Sequence, residues 1–369
     1  MPGISELGEF GQSVWFDFIR RSLITSGELA ALVAQGVRGV TSNPAIFEKA
    51  IAGTPDYDDE IQALSGRGKS VSEIYETLAI KDIQLAADVL LPVYRSTRGI
   101  DGYVSLEVDP LLASDTARTI AEARRLFEAV GRPNVMIKIP ATAEGLPAVT
   151  ETIAAGVNVN VTLIFSIENY TAVADAYLSG LEALASMGPS ARGGHPVQSV
   201  ASVASFFVSR LDTALENDLS RSGAVDLSGR IAIANCKLAH VEFKRILGSP
   251  RWQALAGRGA KAQRLLWAST STKNPAYPDT LYVDELIGPD TVNTIPPETL
   301  RAFLDHGRAA PTLTRDLDTA RRQIAQLPEL GIDLDRVTRR LQEEGVAAFV
   351  KPFQALMASI ESKCQRFKI

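Results

Sequence analysis

The sequence predicts an α/β protein, a (β/α)8 TIM barrel, because short β-rich runs alternate with longer stretches of helical periodicity eight times along the chain. The length of 369 residues matches such a barrel at slightly above its typical size. Hydrophobic residues make up 46% of the chain and charged residues 22%, a balance typical of a globular protein. No linker rich in Pro, Gly or Ser interrupts the pattern, so we expect one domain over residues 1–369.

The strands are predicted where β-branched and aromatic residues cluster over a few positions. They are expected at 14–18, 39–42, 102–108, 135–139, 157–163, 199–207, 264–269 and 292–295. Between them, helical spacing and capping residues predict the helices. The clearest helices are expected at 23–35, 115–129, 142–155 and 208–221, and from Ser166 to a point before Gly188.

Two regions are longer than a minimal barrel requires. Residues 44–101, between the second and third strands, are enough for several helices. Residues from about 315 to 369 form a charged helical extension of the same domain, interrupted at Pro328 and Gly331. The Arg and Glu pairs of this extension predict a solvent-exposed face, but its role is not evident from the sequence.

Composition excludes several classes of protein. The net charge of −5 argues against nucleic-acid binding, and two cysteines exclude a disulfide framework or a cysteine metal site. His195, His240 and His306 are far apart, so we expect no metal, and no nucleotide-cofactor motif follows a strand. Without a signal-like start or an apolar run of about 20 residues, we predict a cytoplasmic protein without a membrane partner.

Polar side chains occur on one face of four predicted strands. Alternation places Asp17, Glu107, Lys138, Asn160 and Thr162 inside the barrel, towards the carboxyl ends of their strands. Barrel enzymes carry out their chemistry at that end. Burying such groups is costly unless they pair or take part in a reaction, so their convergence favours an active site over separate structural roles.

Lys138 stands in an apolar run, Val-Met-Ile-Lys-Ile-Pro, from which a lysine has no easy path to water. A free lysine amine has a pKa of about 10.4, and burial disfavours its charged form. A neutral amine can form a Schiff base with a carbonyl compound, and nearby acids can move the protons. The sequence therefore favours imine chemistry on a sugar-like carbonyl substrate, although a purely structural Lys–Glu pair stays open.

Five segments, in order, resemble the signatures of the transaldolase family. The segment Val135-Met136-Ile137-Lys138-Ile139-Pro140-Ala141-Thr142 resembles its Schiff-base lysine segment. The others are Thr41-Ser42-Asn43-Pro44, Ser105-Leu106-Glu107-Val108-Asp109, Asn158-Val159-Asn160-Val161-Thr162-Leu163 and Ser205-Phe206-Phe207-Val208-Ser209-Arg210. The resemblance extends over residues 15–296, and the C-terminal extension looks like that of a longer bacterial subgroup.

The resemblance implies a role for each matching residue. Lys138 would form the Schiff base, Asp17 would take the proton of the C4 hydroxyl, and Glu107 with a water held by Thr162 would manage the protons of imine formation. The expected substrate contacts are Asn43, Asn160 and Ser205 to hydroxyl groups and Arg210 to phosphate.

One segment departs from the family pattern. Many members have Ala-Ser-x-Arg after the seventh strand, but here Ser271 occupies the arginine position. Ser269 can still donate to a phosphate, and we expect Lys273 to supply the missing positive charge, unless it is only a solvated loop lysine. Phe207 replaces a tyrosine of related aldolases, and its apolar ring favours group transfer over hydrolysis, unless it simply fills the barrel.

The resemblance therefore implies a transaldolase, which moves a dihydroxyacetone unit from sedoheptulose 7-phosphate to glyceraldehyde 3-phosphate without a cofactor. A Schiff-base aldolase that releases free dihydroxyacetone is the alternative within enzymes. A non-catalytic barrel that binds sugar phosphates is the alternative outside them. The sequence leaves open whether the protein is a monomer or a homodimer.

Overall fold

The computed structural model describes residues 3–186 and 196–366. Its strands, in chain order, are β1 (Gln12–Phe16), β2 (Val37–Val40), β3 (Tyr103–Glu107), β4 (Val135–Pro140), β5 (Val159–Ile164), β6 (Ser202–Phe207), β7 (Arg264–Ala268) and β8 (Thr291–Ile295). Each strand pairs in parallel with the next, and β8 pairs with β1, so the sheet closes into a barrel. The predicted (β/α)8 fold is confirmed.

Helices surround this barrel on the outside and cover one of its ends. Those of the described residues are α1 (Ile4–Glu9), α2 (Arg21–Thr25), α3 (Glu28–Gln35), α4 (Pro44–Ala52), α5 (Asp58–Gly66), α6 (Val71–Ser96), α7 (Thr116–Val130), α8 (Gly145–Ala154), α9 (Ile167–Ser186), α10 (Ser209–Arg221), α11 (Ile231–Leu247), α12 (Pro250–Ala256), α13 (Leu281–Glu285), α14 (Pro297–His306), α15 (Leu317–Gln326) and α16 (Leu334–Arg366). The extra helices predicted after the second strand are α4, α5 and α6. No helix within the described ranges is long and apolar enough to cross a membrane.

Most element boundaries differ from the predicted ones by a few residues, and one predicted helix is wrong. The helix expected over 23–35 is divided into α2 and α3, because Gly27 takes a left-handed backbone with φ of 86° between them. The start of α8 is later than predicted, because residues 142–144 form a turn before the helix, in which Thr142 Oγ1 accepts a hydrogen bond from the Gly145 amide. The predicted end of α9 near Gly188 lies outside the described residues, as does His195.

The amino-terminal end of the barrel is closed by polar groups that satisfy one another. Asp101 accepts hydrogen bonds from Ser13 Oγ at 2.6 Å, Trp15 Nε1 at 3.1 Å and Arg264 Nη2 at 2.8 Å. The Trp15 ring fits because its neighbour is Gly39, where a Cβ would approach the ring to 2.5 Å. These contacts fill the barrel interior at its amino-terminal end, whereas the cavity lined by Lys138 lies at the carboxyl end of the strands.

The C-terminal extension packs across the carboxyl end of the barrel. Gln342 of α16 donates to the carbonyl oxygen of Ala141, which follows β4, at 2.8 Å. It also donates to the carbonyl oxygen of Leu163, near the end of β5, at 3.1 Å. Further along, Lys363 pairs with Asp58 of α5 at 2.6 Å. The predicted exposed face is present, since Arg340 and Glu344 pair at the surface. The opposite face of the helix, which the prediction did not assign, is buried against the barrel.

A buried carboxylate outside the barrel interior joins three helices. Asp212 of α10 is 1% exposed and accepts hydrogen bonds from the Ala232 amide at 2.9 Å and from Tyr282 Oη at 2.8 Å. Burial raises its pKa from 3.8 to about 6, more than these hydrogen bonds lower it. In the native protein Asp212 therefore holds its proton more tightly than in the unfolded chain.

This difference predicts a pH-dependent effect of Asp212→Asn on stability. Between about pH 4 and 6 the native state binds more protons than the unfolded state, so the contribution of Asp212 to the free energy of unfolding falls as the pH rises. As the pH rises through this window, the free energy of unfolding of the variant should increase by about 2–3 kcal/mol relative to that of the wild type. Denaturant unfolding at a series of pH values measures the difference. Asp226→Asn, at an exposed position, is the control, and a constant difference between Asp212→Asn and the wild type would contradict the prediction.

Candidate active site

Lys138 lies at the centre of the barrel's carboxyl end and is 6% exposed. Pairing of β3 with β4 sets Glu107 directly beside it, and pairing with β5 sets Asn160 on its other side. Its Nζ is 3.2 Å from Glu107 Oε2 and donates to the carbonyl oxygen of Ser42 at 3.1 Å. The predicted Lys–carboxylate pair is thus present, with the amine held at a defined position.

Glu107 is buried like its partner, at 9% exposure. Burial raises the pKa of its carboxyl group, while the charge and hydrogen bond of Lys138 act in the opposite direction. A carboxyl group whose pKa is raised can release and take up protons closer to neutral pH. This environment suits an acid–base group acting on the adjacent nitrogen.

Asp17 follows β1 rather than ending it, yet its side chain still reaches the carboxyl end of the barrel. Thr41 Oγ1 donates to Asp17 Oδ1 at 2.6 Å, and the Thr41 hydroxyl also lies 2.6 Å from that of Thr294. Burial raises the pKa of Asp17, against the effects of the Thr41 hydrogen bond and of the positive charges of Lys138 and Lys273. The carboxylate of Asp17 is therefore close enough to Lys138 for the positive charge of the amine to lower its pKa.

Thr162 presents a hydroxyl with no protein partner. Its Oγ1 is buried and forms no hydrogen bond with the described residues. The next residue, Leu163, has φ of 63°, and the pairing register of β5 shifts between Val161 and Ile164. A buried, unpartnered hydroxyl beside a bulge is suited to hold a water or a substrate group.

Asn160 lies one layer below the cavity and is fully buried. Its Nδ2 donates to Ser105 Oγ at 3.0 Å, and its Oδ1 accepts from Ser205 Oγ at 2.7 Å. Ser205 itself lines the cavity. Asn160 therefore orients Ser205 through this hydrogen bond. The predicted contact of Asn160 with substrate stays a prediction.

Asn43 has two functions in the structure. Its Oδ1 accepts from the Ile46 amide at 3.0 Å and caps α4, with Pro44 as the first helical residue. Its side chain also lines the cavity in front of Lys138. The Ser-Asn-Pro signature thus both starts a helix and presents an amide to a ligand.

These residues surround a cavity of about 630 Å³ at the carboxyl end of the barrel. A volume of this size accommodates a small organic molecule. Of the predicted site residues, it is lined by Asp17, Asn43, Lys138, Thr162, Ser205, Phe207, Arg210, Ser269 and Lys273. Glu107 and Asn160 contact these residues from behind.

Positive charges gather at the outer part of the cavity. Arg210, in the first turn of α10, forms no ion pair with a described residue, and burial lowers its pKa. The pKa of Lys273 is lowered first by partial desolvation and then by the charges of Arg210 and Lys49. Arg210 is partly buried, Lys273 is exposed, and neither forms an ion pair with a described residue, although the charges of Asp17 and Glu298 act on Lys273. Cations gathered in this way form a site for an anion such as a phosphate.

The segment that departs from the family pattern lies beside these cations. Ser269 has φ of 59°, and its Oγ is 2.9 Å from Ser209 Oγ at the start of α10. Lys273 Nζ donates to Ser271 Oγ at 2.7 Å. Lys273 is exposed at its own position, but its amine points back towards the residue that replaces the family arginine.

Phe207 forms an apolar wall opposite these polar groups. Its ring centroid lies 5.1 Å from that of Phe165, and the Arg210 guanidinium lies 5.2 Å above it. The ring therefore both borders the cavity and positions Arg210. Its predicted effect on hydrolysis stays a prediction.

The sequence analysis missed several lining residues, among them Lys49, Arg301 and Phe349. Lys49 shares a helical face with Asn43 and Ile46 at intervals of three residues, which is a signal that the α4 sequence contains. Arg301 has a weaker signal in the first turns of α14. Phe349 of α16 also lines the cavity, and nothing in its local sequence connects it to a residue more than 200 positions earlier. In residues 3–186 and 196–366, no group of His, Cys, Asp and Glu is arranged to hold a metal ion.

Comparison with known proteins identifies the family. The family model described as "Transaldolase/Fructose-6-phosphate aldolase" matches residues 14–360. The chain belongs to this family. The match continues beyond residue 296, the predicted end of the resemblance, because the family model includes most of the C-terminal extension.

Individual family members match over nearly their whole length. The chain is 48% identical over 375 residues to a protein named Transaldolase from Trichodesmium erythraeum, covering 98% of this chain and 97% of that protein. It is 49% identical over 359 residues to a Transaldolase from Thermobifida fusca, covering 96% of both. It is 48% identical over 373 residues to Transaldolase 2 from Nostoc punctiforme, covering 97% of this chain and 96% of that protein. The predicted resemblance to transaldolases is confirmed.

The buried pair of Lys138 and Glu107 generates a prediction about stability. If the pair serves chemistry, the double variant Lys138→Met with Glu107→Leu should be at least as stable as the wild type and gain up to about 4 kcal/mol in the free energy of unfolding, because desolvating two charges is costly. Each single variant should be less stable than the double variant, since it leaves one polar partner alone. Denaturant unfolding of all four proteins measures these differences. A double variant destabilised by more than about 2 kcal/mol would instead support the structural role of the pair.

Proposed function

We propose that this protein is a transaldolase that moves a dihydroxyacetone unit from sedoheptulose 7-phosphate to glyceraldehyde 3-phosphate, giving erythrose 4-phosphate and fructose 6-phosphate. The observation that carries the proposal is the buried amine of Lys138, 3.2 Å from Glu107, in a cavity whose outer part holds Arg210 and Lys273, two cations that form no ion pair with a described residue. The amine can attack a carbonyl carbon, and the cations can bind the phosphate at the far end of the same substrate.

The first step joins donor and enzyme. Once Glu107 has taken a proton from Lys138, the amine attacks the C2 carbonyl of the ketose phosphate, and Glu107 returns the proton so that the carbinolamine loses one water. A water at the unpartnered Thr162 hydroxyl has the position to serve in this transfer and in the later hydrolysis. The protonated imine then draws electrons from the neighbouring carbon–carbon bond.

Cleavage of that bond requires a base, and Asp17 is the proposed one. Its raised pKa makes the carboxylate a better proton acceptor near neutral pH than an ordinary aspartate. Asp17 removes the C4 hydroxyl proton, the C3–C4 bond breaks, and the aldose phosphate leaves a dihydroxyacetone enamine on Lys138. With the acceptor aldehyde the enamine carbon forms the new bond, Asp17 returns the proton, and hydrolysis of the imine frees the product.

The alternative of an aldolase that releases free dihydroxyacetone is less well supported. The relatives named above are called transaldolases, and the aromatic wall of Phe207 and Phe165 leaves an apolar boundary beside the cavity. A non-catalytic binding barrel would not need the desolvated Lys138 amine. The single-domain organisation, the cytoplasmic location and the choice between monomer and homodimer stay predictions.

The Schiff base can be trapped chemically. Borohydride reduction with fructose 6-phosphate should leave a three- or six-carbon adduct on Lys138, and Lys138→Ala should lose both the adduct and turnover, because no other amine takes its place beside Glu107. Peptide mapping by mass spectrometry locates the adduct. Lys273→Ala, which removes another amine of the same cavity, is the matched control and should keep the adduct. An adduct that survives in Lys138→Ala would refute the assignment.

The cation cluster predicts a selective loss of affinity. Arg210→Ala should raise KM for fructose 6-phosphate and glyceraldehyde 3-phosphate by about 10- to 100-fold, and much less for fructose and glyceraldehyde, because only the former carry a phosphate. Lys273→Ala should show the same selectivity with a smaller effect of about 2- to 5-fold, since its amine is exposed. Steady-state kinetics on the paired substrates measures both ratios. Equal effects on phosphorylated and unphosphorylated substrates would remove these residues from the phosphate site.

A further inference from the structure

The C-terminal helix contributes an aromatic side chain to the active-site cavity. Phe349 of α16 is 6% exposed and lines the cavity, with its ring 5.4 Å from Lys138 Nζ. This distance lies within the range of a cation–π contact. The ring therefore covers the atom on which the proposed Schiff base forms.

The position of this ring is fixed by contacts one and two turns earlier in α16. Gln342 donates hydrogen bonds to the carbonyl oxygens of Ala141 and Leu163, at the ends of the strands that carry Lys138 and Thr162. Gly345 lies against the Leu163 side chain, where a Cβ would approach Leu163 Cδ2 to 2.8 Å. The absence of a side chain at Gly345 lets the helix approach this closely, and Phe349 follows one turn later.

The cavity has apolar rings on more than one side. Phe207, which packs against Phe165, lines one side of the cavity, and Phe349 comes from a different part of the chain. The enamine on Lys138 has two fates. Either its nucleophilic carbon bonds to the aldehyde carbon of the acceptor, or that carbon takes a proton from water, a second water adds to the resulting imine, and the C–N bond breaks to release dihydroxyacetone. Apolar surface on the Phe349 side of the enamine disfavours the second fate, because a water on that side would have no hydrogen-bond partner, unlike a water at the Thr162 hydroxyl.

We propose that Phe349 is a specificity-determining residue, which excludes water from the enamine on Lys138 and so favours transfer to an aldehyde over release of dihydroxyacetone. The inference rests on the proposed function, since it concerns an intermediate of that reaction. It assigns to the C-terminal extension a part in the choice of reaction, besides covering the end of the barrel.

The test compares two changes at Phe349 with one change elsewhere on the same helix. Phe349→Ala opens space beside Lys138, and Phe349→Leu keeps an apolar side chain if the alanine variant folds poorly. The matched control is Phe353→Leu, one turn further on, whose ring packs against Tyr75 at a centroid distance of 5.5 Å. Full-length proteins are given fructose 6-phosphate, with and without erythrose 4-phosphate as acceptor, and free dihydroxyacetone and sedoheptulose 7-phosphate are measured.

The ratio of dihydroxyacetone released to units transferred should rise about tenfold in Phe349→Ala, which corresponds to about 1.4 kcal/mol in the difference between two barriers. Phe349→Leu should show a smaller rise, and Phe353→Leu should keep the wild-type ratio. An unchanged ratio in both Phe349 variants, or an equal rise in Phe353→Leu, would overturn the inference. Loss of turnover in both Phe349 variants with the borohydride adduct intact would also overturn it, since the ring would then serve cleavage.

These results separate the inference from the proposed function. If the wild type forms no adduct and transfers no three-carbon unit, the proposed function fails. If the wild type transfers the unit and the ratio does not respond to Phe349, only the role of this ring fails.

Discussion

The contact between Lys138 and Glu107 imposes the main constraint on this protein, because both groups are taken out of water at the centre of a barrel. A buried ion pair gains little stability for the fold, and each partner alone would be costly to bury. The closed barrel meets this constraint through the pairing register of its strands. Adjacent positions on β3 and β4 bring the two side chains together, and the Ser42 carbonyl supplies a further acceptor for the amine.

The polar groups at the two ends of the barrel differ in whether they border the ligand cavity. At the amino-terminal end, Asp101 and Arg264 satisfy one another and their neighbours, and the buried Gln12 Oε1 and Gln263 Oε1, which have no partner among the described residues, do not line the cavity of Lys138. At the carboxyl end, the Thr162 hydroxyl has no partner and Arg210 no counter-charge among the described residues. Incomplete polar groups around a cavity are a physical sign of a binding site, whereas completed ones indicate a structural layer.

The C-terminal helix connects the stability of the fold to the chemistry of the site. Gln342 donates to carbonyl groups at the ends of β4 and β5, together with Asn169 at Ala141, and Gly345 allows the helix to approach closely. The same helix then carries Phe349 to the amine of Lys138. A segment that looks from its charges like a solvated surface helix is thus part of the wall of the cavity, because only one of its faces is exposed.

The sequence by itself determined the fold class, all eight strands and the convergence of Asp17, Glu107 and Lys138, because these depend on local periodicity and on the alternation of side chains along strands. Only the tertiary structure decided which groups lack partners, that Asn160 lies behind Ser205, and that Phe349 faces Lys138. Those facts depend on contacts between residues far apart in the chain, and no local pattern of spacing or composition encodes which distant surface a helix face will cover.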